Sequence, residues 1–365
     1  MSFPSVLFLT PNFLARRLHK SIRGVEVFDL LFIRQLVELG VPVTVAAESS
    51  WRERFPKHWA GAMPEMLWTP SLRKPLPNAL AAAALNGSRR HDVLLLGNNG
   101  RGLLPATKLL HKCGRIGRTL LIAHRLPRDD YVRAIRGFPM DVLAISEAVV
   151  VGFREKDGSP VHRGWLEIYY GLPNYKEFSP RTTARKPDEP VKFCLLGKMD
   201  SPDKGAAGAM AAFSALPDDV RRRCELHLAS YQTPPPPAQV PEGVLARDWM
   251  PATAIAEFLR GMDALIVNSK YESFSQAAVQ AMLTGIPVIT VPLPAVVEKV
   301  VDGAGIVVKD QDELTGAMAT LAGDEALRAR MGETARRVAL EKYIWDTGEF
   351  VERFLKPSAT SATNT

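Results

Sequence analysis

The chain has 365 residues, enough for roughly two to two and a half domains, so a single small module is excluded. Apolar residues make up 46%, charged residues 23% and aromatic residues 8%, the balance of a folded globular protein and not of a disordered or fibrous one. The net charge of +7 is uneven: residues 1–180 carry 25 Lys/Arg against 15 Asp/Glu (+10), and the remainder 21 against 24 (−3). Such asymmetry points to an anionic partner for the first half, with nucleic acid, a lipid headgroup surface and a phosphorylated substrate as options and scattered solubilising charge as the plain alternative.

No stretch approaches the roughly 18 consecutive apolar residues that cross a bilayer. The apolar start Val6 to Leu9 has neither a basic flank nor a small-residue cleavage site, so a cytoplasmic protein is expected. Cys113, Cys194 and Cys224 are odd in number and far apart, which suggests neither a disulfide framework nor a zinc ribbon. Cys194 and Cys224 are expected in strand cores.

From the N-terminus, apolar runs suited to buried parallel strands alternate with helical patterns: Ser5 to Thr10, Val41 to Ala47, Asp92 to Gly97, Thr119 to His124 and Asp141 to Ser146. The clearest helix is Val25 to Leu39, where Phe28, Phe32, Leu36 and Leu39 recur at helical spacing before Gly40 supplies a stop. Pro173, Pro180, Pro187 and Pro190 then mark a linker. A second series follows with strands at Val191 to Gly197, Glu225 to Ser230, Val244 to Trp249, Ala264 to Asn268, Pro287 to Val291 and Gly305 to Lys309, and helices at Ala206 to Leu216 and Ser275 to Leu283. The fold class is therefore α/β with two Rossmann-like domains: 1–172, a linker at 173–190, and 191–345. The Pro234 to Pro237 run is read as a surface loop and 357–365 as a disordered tail. Ligands of open α/β sheets bind at the carboxyl ends of the strands, so the chemistry is expected there, in a cleft between the domains.

Several signatures are missing: no G-x-G-x-x-G follows the first strand, and there is no Walker loop, H-E-x-x-H or G-x-S-x-G. Asp310-Gln311-Asp312 matches a D-x-D metal pattern, but it follows a strand and opens a helix, so capping is expected there. The informative segment is Asp263 to Val291. A strand ends at Asn268 to Lys270, Glu272 sits at a strand-to-helix corner, and a helix opens at Ser275 or Gln276. Backbone N–H groups at that helix start suit a phosphate, and a carboxylate just before it can accept from sugar hydroxyls. A glutamate that only caps the helix is the alternative.

This segment resembles the E-x7-E region of retaining glycosyltransferases with the GT-B fold, in particular the large family four. The residues that carry the likeness are Glu272, Ser273, Phe274 and Ser275 at the corner, then Gln280, Ala281 and Met282, then Gly285, Pro287 and Val288. Upstream, Gly197-Lys198 and Lys204-Gly205 resemble the family's cation pair, and Arg23-Gly24-Val25-Glu26 its glycine turn after the first strand. His124 resembles the histidine beside the donor sugar. Further likeness runs through Ala144 to Glu147, Tyr170-Gly171, Phe178, Pro180 and Tyr343 to Trp345, so that a crossover helix at about 346–356 returns to the first domain. Gln280 stands where the family has a second glutamate that binds ribose hydroxyls; an amide can still accept one hydrogen bond and donate another. Ser273 and Ser275 replace glycines.

The resemblance implies a retaining hexosyltransferase acting on a nucleoside diphosphate sugar, with no cofactor and no metal. It implies catalytic roles for His124, Lys198, Lys204 and Glu272, and donor contacts from Gly24, Gly197, Ser273, Phe274, Ser275, Gln276 and Gln280. Base choice is assigned to the loop around Trp249 to Pro251. Acceptor contacts are expected from Arg23, Asn98, Asn99 and Arg101. The acceptor itself is expected to be a glycan or lipid-linked molecule of surface polysaccharide or glycolipid assembly. The basic runs Arg16-Arg17 with Lys20 and Arg23, Lys112 to Arg118, and Arg125 to Arg136 suggest peripheral association with an anionic inner membrane face. Nucleic acid is disfavoured because no aromatic or recognition-helix pattern accompanies these residues. The rival readings are a catalytically weak or inactive GT-B protein that binds a nucleotide sugar or a partner subunit, and a sugar-nucleotide epimerase.

Overall fold

A computed structural model describes residues 3–15, 24–59, 61–183, 185–186, 188–199, 201–230, 240–247, 250 and 252–356. Arg16, Arg17, Lys20, Arg23, the Pro234 to Pro237 run, Trp249, Pro251 and the tail from 357 lie outside the described residues. The chain divides into two compact units, Met1–Pro173 with Trp345–Thr365, and Asn174–Ile344.

The first unit is built on seven strands: β1 (Val6–Leu9), β2 (Val43–Glu48), β3 (Glu65–Thr69), β4 (His91–Leu96), β5 (Ile116–Ala123), β6 (Asp141–Ala144) and β7 (Leu166–Ile168). They pair in parallel in the order β3-β2-β1-β4-β5-β6-β7. All of β1 and β2 is buried, which is why their sequences run apolar without alternation. The expected strands are present with ends shifted by up to three residues. The edge strands β3 and β7 were not anticipated; β3 alternates exposed or half-buried with buried residues and β7 has no buried one, so neither makes an apolar run.

The helix Gly24–Glu38 buries Phe28, Phe32 and Leu36, and Gly40 follows it at φ 82°. Trp345 packs on the rings of Phe28, Phe32 and Phe350 at centroid distances of 4.9, 5.0 and 5.1 Å, which anchors the returning chain in this unit. The last turns, Thr347–Phe350 and the π-helical Val351–Leu355, are held by the Arg118 guanidinium, which donates to the carbonyls of Phe354 and Leu355.

The second unit has six strands: β8 (Val191–Gly197), β9 (Cys224–Ser230), β10 (Val244–Arg247), β11 (Ala264–Val267), β12 (Val288–Thr290) and β13 (Gly305–Val307). They too are all parallel, in the order β10-β9-β8-β11-β12-β13. Phe193, Leu195, Leu226, Leu228, Ile266 and Ile289 form its centre. Cys194 and Cys224 are buried in β8 and β9, and burial pushes both thiols up, Cys224 to about 11, so neither is a ready thiolate. Within the expected linker, Phe178 is buried and its carbonyl accepts from Arg336. Among the described residues no helix is long and apolar enough to cross a membrane.

Two glycines in this unit test the packing with opposite signs. A Cβ on Gly332, in the helix Glu325–Lys342, would run into the carbonyl of Gly285, whereas one on Gly316, in the helix Gln311–Gly323, would meet nothing within 4 Å. Gly332→Ala should lower stability by about 1–3 kcal/mol through overpacking. Gly316→Ala should raise it by up to about 1 kcal/mol through helix propensity. Urea unfolding of both variants checks this, and shifts of the same sign would contradict the packing described.

Candidate active site

The strand order of the second sheet reverses between β8 and β11, because the chain leaves β8 toward β9 and β10 and then returns to the other side. At such a reversal the connections leaving the two central strands splay apart and open a crevice at their carboxyl ends. Lys204 follows β8 and Glu272 follows β11, so both lie at this point. The Lys204 ammonium sits 2.5 Å from Glu272 Oε1, which also accepts from Ser269 Oγ at 2.9 Å. Their side chains are 29% and 14% exposed.

The two loops are joined by backbone as well. Asn268 donates through Nδ2 to the Gly205 carbonyl at 3.0 Å, and the Lys270 N–H donates to the Asp203 carbonyl at 2.8 Å. Gly205 has φ 69°, and a Cβ there would overlap the Asn268 carbonyl, so only glycine fits. Gly197 ends β8 at φ 150°, and the space beside its Cα is taken by the aliphatic stem of Lys204. These two glycines let the lysine fold back across the strand end toward the glutamate.

Lys204, Ser269, Glu272 and Ser275 line one small cavity of about 10 Å³, room for about one water. The structure does not bring every residue singled out by sequence to it. Lys198 is exposed just beyond β8 and does not line it. The Phe274 ring is buried and faces the ammonium of Lys299 at 4.3 Å, with Tyr343 on the same cation at 4.8 Å. Ser275 is buried with φ 62°, the left-handed conformation that explains a glycine preference there. The helix it precedes is Gln276–Thr284, and Gln276 and Gln280, one turn apart, lie on one face of it, both half-buried.

In the first unit the reversal falls between β1 and β4. Gly24 opens the helix Gly24–Glu38, and Arg23 is outside the described residues. His124, one residue past β5, is 4% exposed and lies edge-on to Phe28 and Tyr170, both at 5.1 Å; burial pushes its pKa down to about 3, so the imidazole is neutral. Asn98 and Asn99 are buried in the turn after β4: the Asn99 N–H donates to Asn98 Oδ1 and Asn99 Nδ2 to the Arg125 carbonyl, both at 2.8 Å. Arg101 is exposed and paired with Asp130 at 2.9 Å.

Sequence reasoning missed Asp29. It is fully buried on the helix Gly24–Glu38, where its Oδ2 accepts from Thr10 Oγ1 at 3.0 Å and Asn12 Nδ2 at 2.9 Å. Burial raises its pKa to about 8. The available signal was an acid adjacent to Phe28 in an apolar stretch of that helix.

Asp310 caps the helix Gln311–Gly323, its Oδ1 accepting from the Glu313 N–H at 2.9 Å. Among the described residues no group of three or more His, Cys, Asp or Glu is placed to hold a metal ion.

Residues 239–338 match the family described as glycosyl transferases group 1. The chain is 25% identical over 310 residues to the MMP alpha-(1->4)-mannosyltransferase of Mycolicibacterium hassiacum, covering 77% of this chain and 74% of that protein. It is 35% identical over 96 residues to the D-inositol 3-phosphate glycosyltransferase of Streptomyces avermitilis, covering 26% and 20%. Among solved structures, sucrose-phosphate synthase from Thermosynechococcus elongatus superimposes with a TM-score of 0.74 at 16% identity, covering 96% of each chain. Anabaena HepE in complex with UDP gives 0.71 at 16%, covering 96% and 98%. The two parallel sheets are those of the GT-B fold. The chain thus has the GT-B fold, and its segment 239–338 carries the group 1 glycosyl transferase likeness.

The buried acid of the first unit has a pH signature. An aspartate that titrates near 3.8 when unfolded and near 8 when folded leaves the folded state holding an extra proton between those values. Its contribution to stability is therefore full below pH 3.8 and is lost as pH rises through about 8. Asp29→Asn keeps the two accepted hydrogen bonds without the ionisation. Between pH 5 and pH 8 the parent chain should lose at least about 1.4 kcal/mol relative to the variant, one pKa unit's worth. Urea midpoints that stay parallel over that range would refute the assignment.

Proposed function

We propose that the protein is a retaining, metal-independent glycosyltransferase that moves a hexose-type sugar from a nucleoside diphosphate sugar to a hydroxyl of a glycan or lipid-linked acceptor in surface polysaccharide or glycolipid assembly. The donor is assigned to the second unit and the acceptor to the first. The observation that carries this reading is the Lys204–Glu272 pair at the strand-order reversal.

When the bond between the sugar and the diphosphate breaks, negative charge grows on the leaving phosphate. A fixed ammonium beside it lowers the barrier, and Lys204 has that role in the reading, with exposed Lys198 as a second cation. The positive charge that stabilises the leaving group thus comes from lysine. Glu272 holds the Lys204 ammonium in place and is the acceptor available to a sugar hydroxyl. His124, neutral, exchanges hydrogen bonds with hydroxyls without attracting an ion. Gly197, Ser273, Ser275, Gln276 and Gln280 remain proposed donor contacts, and Phe274 contributes by backing the corner.

Retention follows from the family resemblance, with front-face attack and the leaving phosphate taking the acceptor's proton. A sugar-nucleotide donor is supported by the names of the relatives, a mannosyltransferase and a HepE structure with UDP-glucose. Peripheral association with an anionic membrane face belongs to the same reading and rests on the +10 of residues 1–180. Its cations are partly spent within the unit, where Arg101 and Arg128 face Asp130, Arg136 faces Glu155 and Arg118 faces Asp141.

The test is turnover of UDP-, GDP- and ADP-sugars against a panel of glycan and lipid-linked acceptors. Lys204→Ala and Glu272→Ala should each lower kcat/KM by about 100-fold or more with unchanged circular dichroism. If no donor is consumed, or if Lys204→Ala retains activity within about threefold, transfer at this site is refuted. Saturable donor binding without turnover would select the non-catalytic role instead.

A further inference from the structure

The second unit has a concavity at the opposite edge of its sheet, where the strands begin. Val191 opens β8, Cys224 opens β9 and Gly243 precedes β10, and with Arg185 and Arg328 they line a cavity of about 720 Å³. That volume is in the range of small-molecule sites, about 300–1,000 Å³. A second cavity of about 330 Å³ shares Arg185, Glu325 and Arg328 and reaches Asp263 and Pro287, just before β11 and β12. The seven residues of β8 separate this edge from Lys204 and Glu272 by about 20 Å, so one small ligand cannot touch both.

Acids and arginines are both present, but at different depths. Arg328 is 8% exposed and the Arg185 side chain 12%, whereas Asp188, Glu242 and Glu325 are exposed. Of the other two acids, Glu189 is paired with Lys192 at 2.6 Å and Glu225 with His227 at 2.8 Å. The acid nearest the deep arginines is Asp263, and it is shared: Arg181 lies 3.7 Å and Arg185 3.8 Å from it, and its Oδ2 accepts from the Lys192 N–H at 2.8 Å. Arg328 is drawn to the same carboxylate, while burial first and Arg185's like charge after it push its pKa down. One carboxylate thus faces two guanidinium groups, with a third close by: Arg328 donates to the Leu321 and Ala322 carbonyls, and Arg185 also donates to the Glu189 carbonyl. The Nε of Arg185 is buried with no acceptor among the described residues. Exposed Arg222 and Arg223 add guanidinium groups at the rim.

We infer that this cavity binds a phosphate-bearing small molecule. Guanidinium groups meet phosphate oxygens through paired N–H donors, and a doubly charged anion relieves the crowding of cations around Asp263 in a way that a neutral ligand cannot. The cavity is large enough for an organic phosphate and lies apart from the proposed donor site, so its occupant is a separate ligand and not the sugar donor.

The test is equilibrium dialysis with inorganic pyrophosphate at fixed ionic strength, on the full chain and on two sets of variants. In Lys198→Ala/Lys204→Ala one saturable equivalent should remain. In Arg222→Gln/Arg223→Gln and in Arg185→Gln its Kd should rise about tenfold or more. The rim variant changes only exposed side chains, so it stays informative if Arg185→Gln fails to fold. Absence of saturable binding, or binding removed by the lysine substitutions and untouched by the rim substitutions, overturns the inference. Neither outcome depends on sugar transfer, so this site and the proposed activity stand or fall separately.

Discussion

An ammonium and a carboxylate 2.5 Å apart, supplied by loops from two neighbouring strands, are the contact that ties together the carboxyl ends of β8 and β11 in the second unit. The pair exists because β8 and β11 are adjacent in the sheet though about 70 residues apart in the chain, which only the reversal of strand order achieves. Two glycines then make the approach sterically possible. Gly205 lets the first loop lie against the Asn268 carbonyl, and Gly197 leaves room for the lysine stem. A side chain at Gly205 would collide with the Asn268 carbonyl, and one at Gly197 would crowd the lysine stem.

The corner that carries Glu272 is braced from behind by a second cation. Lys299 is fully buried between the rings of Phe274 and Tyr343, and its ammonium donates to the Ala295 carbonyl at 2.6 Å and faces Glu298 at 2.7 Å. An unpaired charge at such depth would be costly, and here the carboxylate, the carbonyl and two ring faces compensate for the lost water. Phe274 is therefore a support of the corner, with its ring turned away from the cavity that Glu272 lines. Ser275, held at φ 62°, adds local strain at the same corner, of order 1–2 kcal/mol for a residue with a side chain.

How much of this was legible in the sequence depended on burial. Central strands are buried on both faces, so VLFL in β1 and ALIV in β11 are visible as apolar runs. The edge strands β3 and β7 have at most one well-covered face and carry Glu65 and Glu167, so no run marks them. Lys204 and Glu272 were recoverable because each follows a strong strand signal at short distance. Their mutual contact was not, since it is set by strand order and not by spacing. Asp29 carried a weaker sign, its place three and four residues before the buried Phe32 and Ile33 of an apolar helix; its partners Thr10 and Asn12 come from another segment, and only the packed structure shows them.

The two units treat their ionisable groups in opposite ways, and this difference bears on what each can hold. In the second, Lys204 and Glu272 keep 29% and 14% exposure and sit within ion-pair distance. In the first, burial suppresses charge: His124 is neutral above about pH 3 and Asp29 is protonated up to about pH 8. Neutral imidazole and neutral carboxyl groups offer donors and acceptors but no net field. Beside Thr10, Asn98 and Asn99, which are also buried at the carboxyl ends of β1 and β4, they form surroundings suited to uncharged hydroxyls. The excess basic charge of the first half lies elsewhere, in exposed arginines such as Arg101 and Arg128 that share Asp130. The strand end of the first unit thus presents hydrogen-bonding groups without net charge, apart from the exposed arginines.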